Sequence, residues 1–181
     1  LIVLISTLTY TLYGGLRASI FTDNIQMIVI GILLLILISI ISSSSGSNFS
    51  FEFIDSKNPQ LLSSSYVPSY TAGLTFFIAV AATNLFHQGN WQRVYAAKNY
   101  QTLKTSLIIS FFIIIPIVCL MGFIGMVSFS LDSSTRPDLG FFTLLLKDQT
   151  ELLSLMIVVL GLSLTISTVD TLVNAISSLF V

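Results

Sequence analysis

Toward the end of the chain Ser163, Ser167, Thr171, Asn174 and Ser178 follow one another at spacings of four, four, three and four, with Thr168 and Asp170 adjoining the same side. That spacing gathers them on one face of a helix. The surrounding stretch, 152–181, is otherwise apolar and long enough to cross a bilayer. A carboxylate at that depth costs at least ~2.5–3.5 kcal/mol on insertion scales, so Asp170 has to face protein or a water-filled cavity. Two chemistries suit the stripe. Hydroxyls and carboxamides can tie helices together, each bond contributing roughly 0.6 kcal/mol. Alternatively, hydroxyl and carbonyl oxygens are hard ligands suited to a small hard cation. Ser167 and Thr168 can then point at one ion, with the Leu164 carbonyl one turn earlier completing their side of the shell and another helix supplying the rest. Transporter folds hold such ions near the bilayer midplane.

Other chemistry is sparse. Asp23 stands just before an apolar run and reads as an acid favoured by the dipole at a helix N-terminus. His87 is the lone histidine, with no second His or Cys near it, and reads as a hydrogen-bonded loop residue rather than a metal ligand. Arg93, Lys98 and Lys104 read as positively charged anchors on the cytoplasmic side. No Ser/His/Asp grouping, HExxH, phosphate-binding Gly-rich loop or pair of carboxylates at useful spacing is present, which argues against an enzyme.

The elements that carry these residues belong to a membrane. Of the 181 residues 54% are hydrophobic and 8% charged, and mean hydropathy is +0.95. A soluble domain carries about 25% charged residues, so a soluble core is the wrong picture. Net charge is −1 with no cluster of Lys or Arg, which leaves nucleic-acid binding without a basis. Cys119 is the single cysteine, so neither an intrachain disulfide nor a cysteine metal site can form. Both ends fall inside apolar stretches and the first residue is Leu1, as expected of a piece of a longer protein.

Spans are expected at about 1–13 (partial), 22–42, 71–97, 107–131 and 152–181, in one transmembrane domain covering 1–181. Gly14-Gly15 signals a turn in a short connection after the first of them. Pro116 removes a backbone donor in mid-span and predicts a kink. FFTLLL is too short to cross and reads as a short interfacial or re-entrant helix. The basic, acid-free loop at 87–105 goes inside, and alternation then puts loops 43–70 and 132–150 outside. Asn48-Phe49-Ser50, a glycosylation acceptor triplet, falls in the first of these outside loops.

Three stretches, in order as well as content, resemble the sodium/solute symporter family of sugar, proline, pantothenate, iodide and urea carriers. They are YTLYGGLRASIFTDNIQ, HQGNWQRVYAAK and STVDTLVNAISS. The resemblance implies an all-α polytopic membrane protein, part of a LeuT-type inverted-repeat bundle, running from the end of its fourth core helix through the eighth. It carries the family's sodium site onto Ser167 and Thr168 by side chain and Leu164 by carbonyl, with the remaining ligands on the first core helix. It also places Asp23 and Asp170 on the sodium path. The sixth core helix is expected to unwind near residues 82–84, leaving Thr83 and Asn84 to meet the solute.

The implied function is sodium-coupled symport of a small polar organic solute, urea-like or amino-acid-like rather than a sugar, since Val80 and Thr83 stand where sugar carriers have an asparagine and a tyrosine. No cofactor is implied beyond sodium as coupling ion, and the partners are the solute, the ion and the lipid bilayer, in a multi-pass protein of the plasma membrane. Two other readings stay open: a proton-coupled carrier of the same fold with Asp170 as the protonated group, and a membrane sensor or scaffold that moves nothing.

Overall fold

Lipid offers no partner to a backbone N–H or C=O, so an apolar chain within it must satisfy these groups internally as helix. The computed structural model describes residues 2–134, 136–146 and 150–178, and among them all regular structure is helical. The helices are α1 (Ile2–Ser45), α2 (Phe51–Lys57), α3 (Val67–Phe86), α4 (Gln88–Tyr95), α5 (Tyr100–Leu131), α6 (Gly140–Leu145) and α7 (Glu151–Ser177). Four of them, α1, α3, α5 and α7, are long and apolar enough to cross a membrane. Several starts are written in the sequence as polar caps. The Ser50 hydroxyl accepts from the Phe53 N–H at 3.2 Å, Asn99 accepts from the Thr102 N–H at 2.7 Å, and Thr150 accepts from the Leu153 N–H at 3.3 Å. Each satisfies a donor that the first turn leaves without an intrahelical partner.

Helical backbone runs on through Pro116 in α5. In α1 it is interrupted only at Gly15, so the connection expected between the first two apolar runs is reduced to a break at one residue. The expected unwinding at 82–84 does not occur. Thr83 Oγ1 donates to the Ala79 carbonyl at 2.7 Å and Asn84 Nδ2 to the Val80 carbonyl at 2.8 Å, each folding back onto its own helix. Helix α3 therefore continues to Phe86 and the break falls at His87, whose backbone is extended (φ −83°, ψ 108°).

The chain divides into two compact units. One consists of α1 as far as Ser39, Gln88–Arg93 of α4, and α7. The other holds the rest of α1, α2, α3 and the segments around α5 and α6. In the second unit Phe123 of α5 receives Phe49 edge-on at 4.9 Å and Phe51 at 4.8 Å between ring centroids. Asn58 Nδ2 donates to Ser130 Oγ at 3.3 Å. Ile54, Ile124, Val127 and Leu145 are buried. Helix α3, by contrast, buries none of its residues within the chain, and its apolar surface is left for lipid or other helices.

FFTLLL, all but its last residue, lies within α6, which packs on α5 by close approach at Gly140. A Cβ there would stand 3.0 Å from Ser128 Cβ and 3.1 Å from Gly125 Cα. The second neighbour is backbone and cannot rotate away. Gly140→Ala is therefore expected to cost about 1–3 kcal/mol, the range for overpacking. Thermal unfolding of the detergent-solubilised protein checks this, and an unchanged midpoint would show that α6 can shift freely.

Candidate functional site

The site lies within the first unit and begins with the break in α1. Gly15 has φ 55° and ψ −150°, a conformation that L side chains rarely adopt. Its neighbour Gly14 is needed for a different reason, because a Cβ there would lie 2.3 Å from Ala18 Cβ. The two glycines thus do separate jobs, one supplying the backbone conformation and the other the room. Beyond the break, α1 continues as unbroken helix and brings Thr22 and Asp23 to α7.

Two carboxylates are exchanged between α1 and α7. Asp170 of α7 is fully buried and accepts from Thr11 Oγ1 at 2.7 Å and Thr22 Oγ1 at 3.2 Å, both on α1. Asp23 of α1 accepts in return from Ser167 Oγ of α7 at 3.1 Å. Arg93 of α4 completes the second cluster, with Nη2 donating to Asp23 Oδ2 and, at 3.0 Å, to Thr171 Oγ1. Its Nη1 is held by the Gly89 carbonyl at 3.2 Å. Thr171 in turn donates to the Ser167 carbonyl at 3.0 Å, so the guanidinium and Ser167 are locked to the same turn of α7. One turn further on, Gln92 Nε2 donates to the Asn174 carbonyl at 3.3 Å.

These contacts overturn two sequence readings. Asp23 is not a helix N-terminal acid, since α1 is already helical for two turns past Gly15 when it is reached, and the dipole acts within about the first turn. Arg93 is not merely an anchor at the membrane surface. Its side chain is 31% exposed and that of Asp23 23%, which places both ions of the pair partly out of water. Charges in spanning segments pair with one another because neither can be solvated alone. His87 also departs from expectation, being the residue at the helix break, with Nδ1 buried and without a hydrogen-bond partner among the described residues.

The whole chain, residues 1–181, matches the sodium:solute symporter family. The chain belongs to that family. It is also 27% identical over 176 residues to the "Spermidine transporter DUR31" of Candida albicans (strain SC5314 / ATCC MYA-2876), an alignment covering 95% of this chain and 33% of that protein. The chain thus spans about a third of the length of the curated relative it matches. No solved structure matches it. As a sodium:solute symporter family member with four apolar helices of membrane length, the protein is an all-α, multi-pass integral membrane protein.

The family resemblance named seven residues, and the structure distributes them unevenly. Ser167 and Asp23 meet directly. Thr168 Oγ1 donates to the Leu164 carbonyl at 2.9 Å, which brings together the two oxygens expected to share an ion with Ser167. Asp170 accepts from Thr11 and Thr22, and its hydrogen bonds among the described residues are to α1. Thr83 and Asn84 are exposed on α3 and belong to the other unit. Sequence reasoning missed Arg93, Thr171, Thr11 and Thr22 as partners. A signal for Arg93 was present, because it follows a membrane-length helix within a chain that holds few other charges to match Asp23.

Proposed function

We propose that the full protein is a sodium-coupled secondary active symporter, with Ser167 and Thr168 side chains and the Leu164 carbonyl as sodium ligands on α7. The remaining ligands would come from the family's first core helix, outside residues 1–181. Family membership supports transport, and one geometric observation supports the ion. Ser167 Oγ, a proposed ligand, lies 3.1 Å from Asp23 Oδ1 while a guanidinium neutralises the other carboxylate oxygen. A cation arriving at Ser167 therefore meets a negative group already shared with Arg93. Sodium and Arg93 compete for Asp23, so ion occupancy has a differential interaction with two arrangements of α1, α4 and α7, which is what a conformational bias requires.

Thr168 contributes by rotation. Its hydroxyl proton now points at the Leu164 carbonyl, and turning it away exposes both oxygens to one ion. Asp23 is proposed as the acid on the ion's path. Asp170 is proposed on the same path, beside its hydrogen bonds to Thr11 and Thr22 of α1. Thr83 and Asn84 are proposed for the solute, a small polar organic molecule; the amine-bearing solute in the Candida relative's name belongs in any panel beside urea, proline and a sugar. Entry of each positive charge is driven by about 2.3 kcal/mol per 100 mV of membrane potential. This is transport without covalent chemistry, and the protein is read as a carrier and not as an enzyme.

The test is the transient current of full-length protein in proteoliposomes after a sodium jump without solute, in wild type and in Ser167→Ala combined with Thr168→Ala. Charge movement in the wild type that disappears in the double variant is the expected result. A wild type that ignores sodium and responds to a proton jump would transfer the coupling to protons. Silence to both ions would favour a sensor or scaffold.

A further inference from the structure

Asp170 has no role in ligating sodium under this reading, yet it is the most deeply buried charge-bearing residue of the unit, at 0% exposure. Its two partners lie on opposite sides of the one non-helical residue of α1. Thr11 stands on the arm before Gly15 and Thr22 on the arm after it, and a single carboxylate bridges the break, one oxygen to each arm. A break at glycine with open space around its Cα has no steric stop of its own, since a Cβ there would meet nothing within 4 Å. The angle between the arms is set instead by what holds them.

The two ends of the bridge differ. Thr11 is 3% exposed and, among the described residues, its hydroxyl donates to Asp170, so letting go would cost a buried hydrogen bond. Thr22 has one proton and three acceptors in reach: the Ser19 carbonyl at 2.9 Å, the Ala18 carbonyl at 3.0 Å and Asp170 Oδ2 at 3.2 Å. It can release Asp170 and keep its proton bonded to its own helix. Asp23 is the next residue along the releasable arm, and it is the one that meets Ser167.

We propose that Asp170 is a positioning residue, a latch that holds both arms of α1 on α7 across the Gly15 hinge, with Thr22 as the end that opens. Opening lets the arm carrying Asp23 move away from Ser167 while Thr11 keeps the first arm in place. The link from this motion to sodium rests on the symport reading; the latch itself rests on the hinge and its three side chains.

A latch with two ends makes a distinctive prediction, because losing either end frees the hinge and losing the second adds nothing. Spin labels at Ile5→Cys and Met27→Cys, both at exposed sites, report the separation of the two arms in full-length protein with Cys119 and any other native cysteine replaced. The wild type is expected to give one narrow distance. Thr11→Val and Thr22→Val are each expected to reduce the population at that distance about tenfold, the scale of one charge-assisted hydrogen bond. The double variant is expected to match either single one. Asp170→Asn keeps an acceptor for Thr11 and can donate to Thr22, so it should retain the narrow distance, whereas Asp170→Leu should lose it.

Independent, additive changes from the two threonine variants, or distances that none of the substitutions alters, would overturn the latch. If Asp170→Leu does not fold, the two nearly isosteric threonine variants still decide. The sodium-jump current, recorded on the same samples, separates the two ideas. A hinge that loosens non-additively in a protein indifferent to sodium would keep the latch and remove the ion, and sodium-driven charge movement with an unaltered hinge would do the reverse.

Discussion

Arg93→Gln is expected to lower the sodium concentration for half-maximal charge movement while destabilising the protein. Among the described residues, the guanidinium and Ser167 are the two donors on the Asp23 carboxylate. Removing the first leaves a negative group beside the proposed ion ligands with nothing fixed to neutralise it. Breaking a fully buried pair from one side costs about 3–5 kcal/mol. With Asp23 23% exposed, solvent recovers part of that, and a loss of about 1–2 kcal/mol is expected. The freed carboxylate then attracts the incoming cation without a competitor, and each 1.4 kcal/mol recovered this way is worth about tenfold in affinity.

Asp23→Asn should act in the opposite sense on the ion, raising the half-saturating sodium concentration. It also strands the Arg93 charge, so it too is destabilising when made alone. In the Arg93→Gln background the same substitution should cost less stability, since neither ion is then left unpaired. Sodium titrations and thermal unfolding of the wild type, both single variants and the double variant measure the coupling. A rise in half-saturating sodium for Arg93→Gln would show that the guanidinium assists the ion instead of competing with it.

Gly15→Ala is expected to destabilise α1 through its backbone conformation. No atom obstructs the new Cβ, so the cost is one of backbone alone. A residue with a side chain at φ 55° and ψ −150° is strained by about 1–3 kcal/mol. The chain can escape by straightening into continuous helix, but a straight α1 cannot offer both Thr11 and Thr22 to one carboxylate with the present geometry. The variant should thus lose thermal stability and, with it, the narrow separation of the two arms. Wild-type behaviour on both counts would mean that the break is imposed by its surroundings rather than held by glycine. Gly14→Ala should be harmful by collision, its Cβ falling 2.3 Å from that of Ala18.

Much of the molecule was legible in the amino-acid order because lipid simplifies the problem. Composition alone selects a membrane helix bundle, as hydrogen-bond satisfaction in lipid leaves few alternatives for apolar runs of this length. Periodicity then placed Ser167, Thr171 and Asn174 on one face of α7, and the same rule put the i, i+4 neighbours of that stripe together in the structure. Gly14-Gly15 marked the place where α1 breaks, one glycine supplying the conformation and the other the room. The order of three motifs carried the family, which the match along the whole chain shows.

What periodicity does not contain is which face meets which. Asp23 reaches Arg93 across 70 positions and Ser167 across 144, and Thr11 reaches Asp170 across 159. Each helix would form with its own hydrogen bonds whatever its neighbour, so the pairing is decided only when helices pack and every buried charge has to find a partner. That is why Asp23 read as a helix-end acid and Arg93 as an anchor, and why the hydrogen bonds of Asp170 to Thr11 and Thr22 had no sign in the sequence. The break between α3 and α4 escaped for a more local reason. Thr83 and Asn84 are polar enough to suggest unwinding, yet their side chains bond back to their own helix and keep it wound as far as His87. Sequence by itself determined the helical class, the polar stripe and the place of the break in α1; the tertiary structure decided the partners, because at membrane depth a charge takes its meaning from the group that neutralises it.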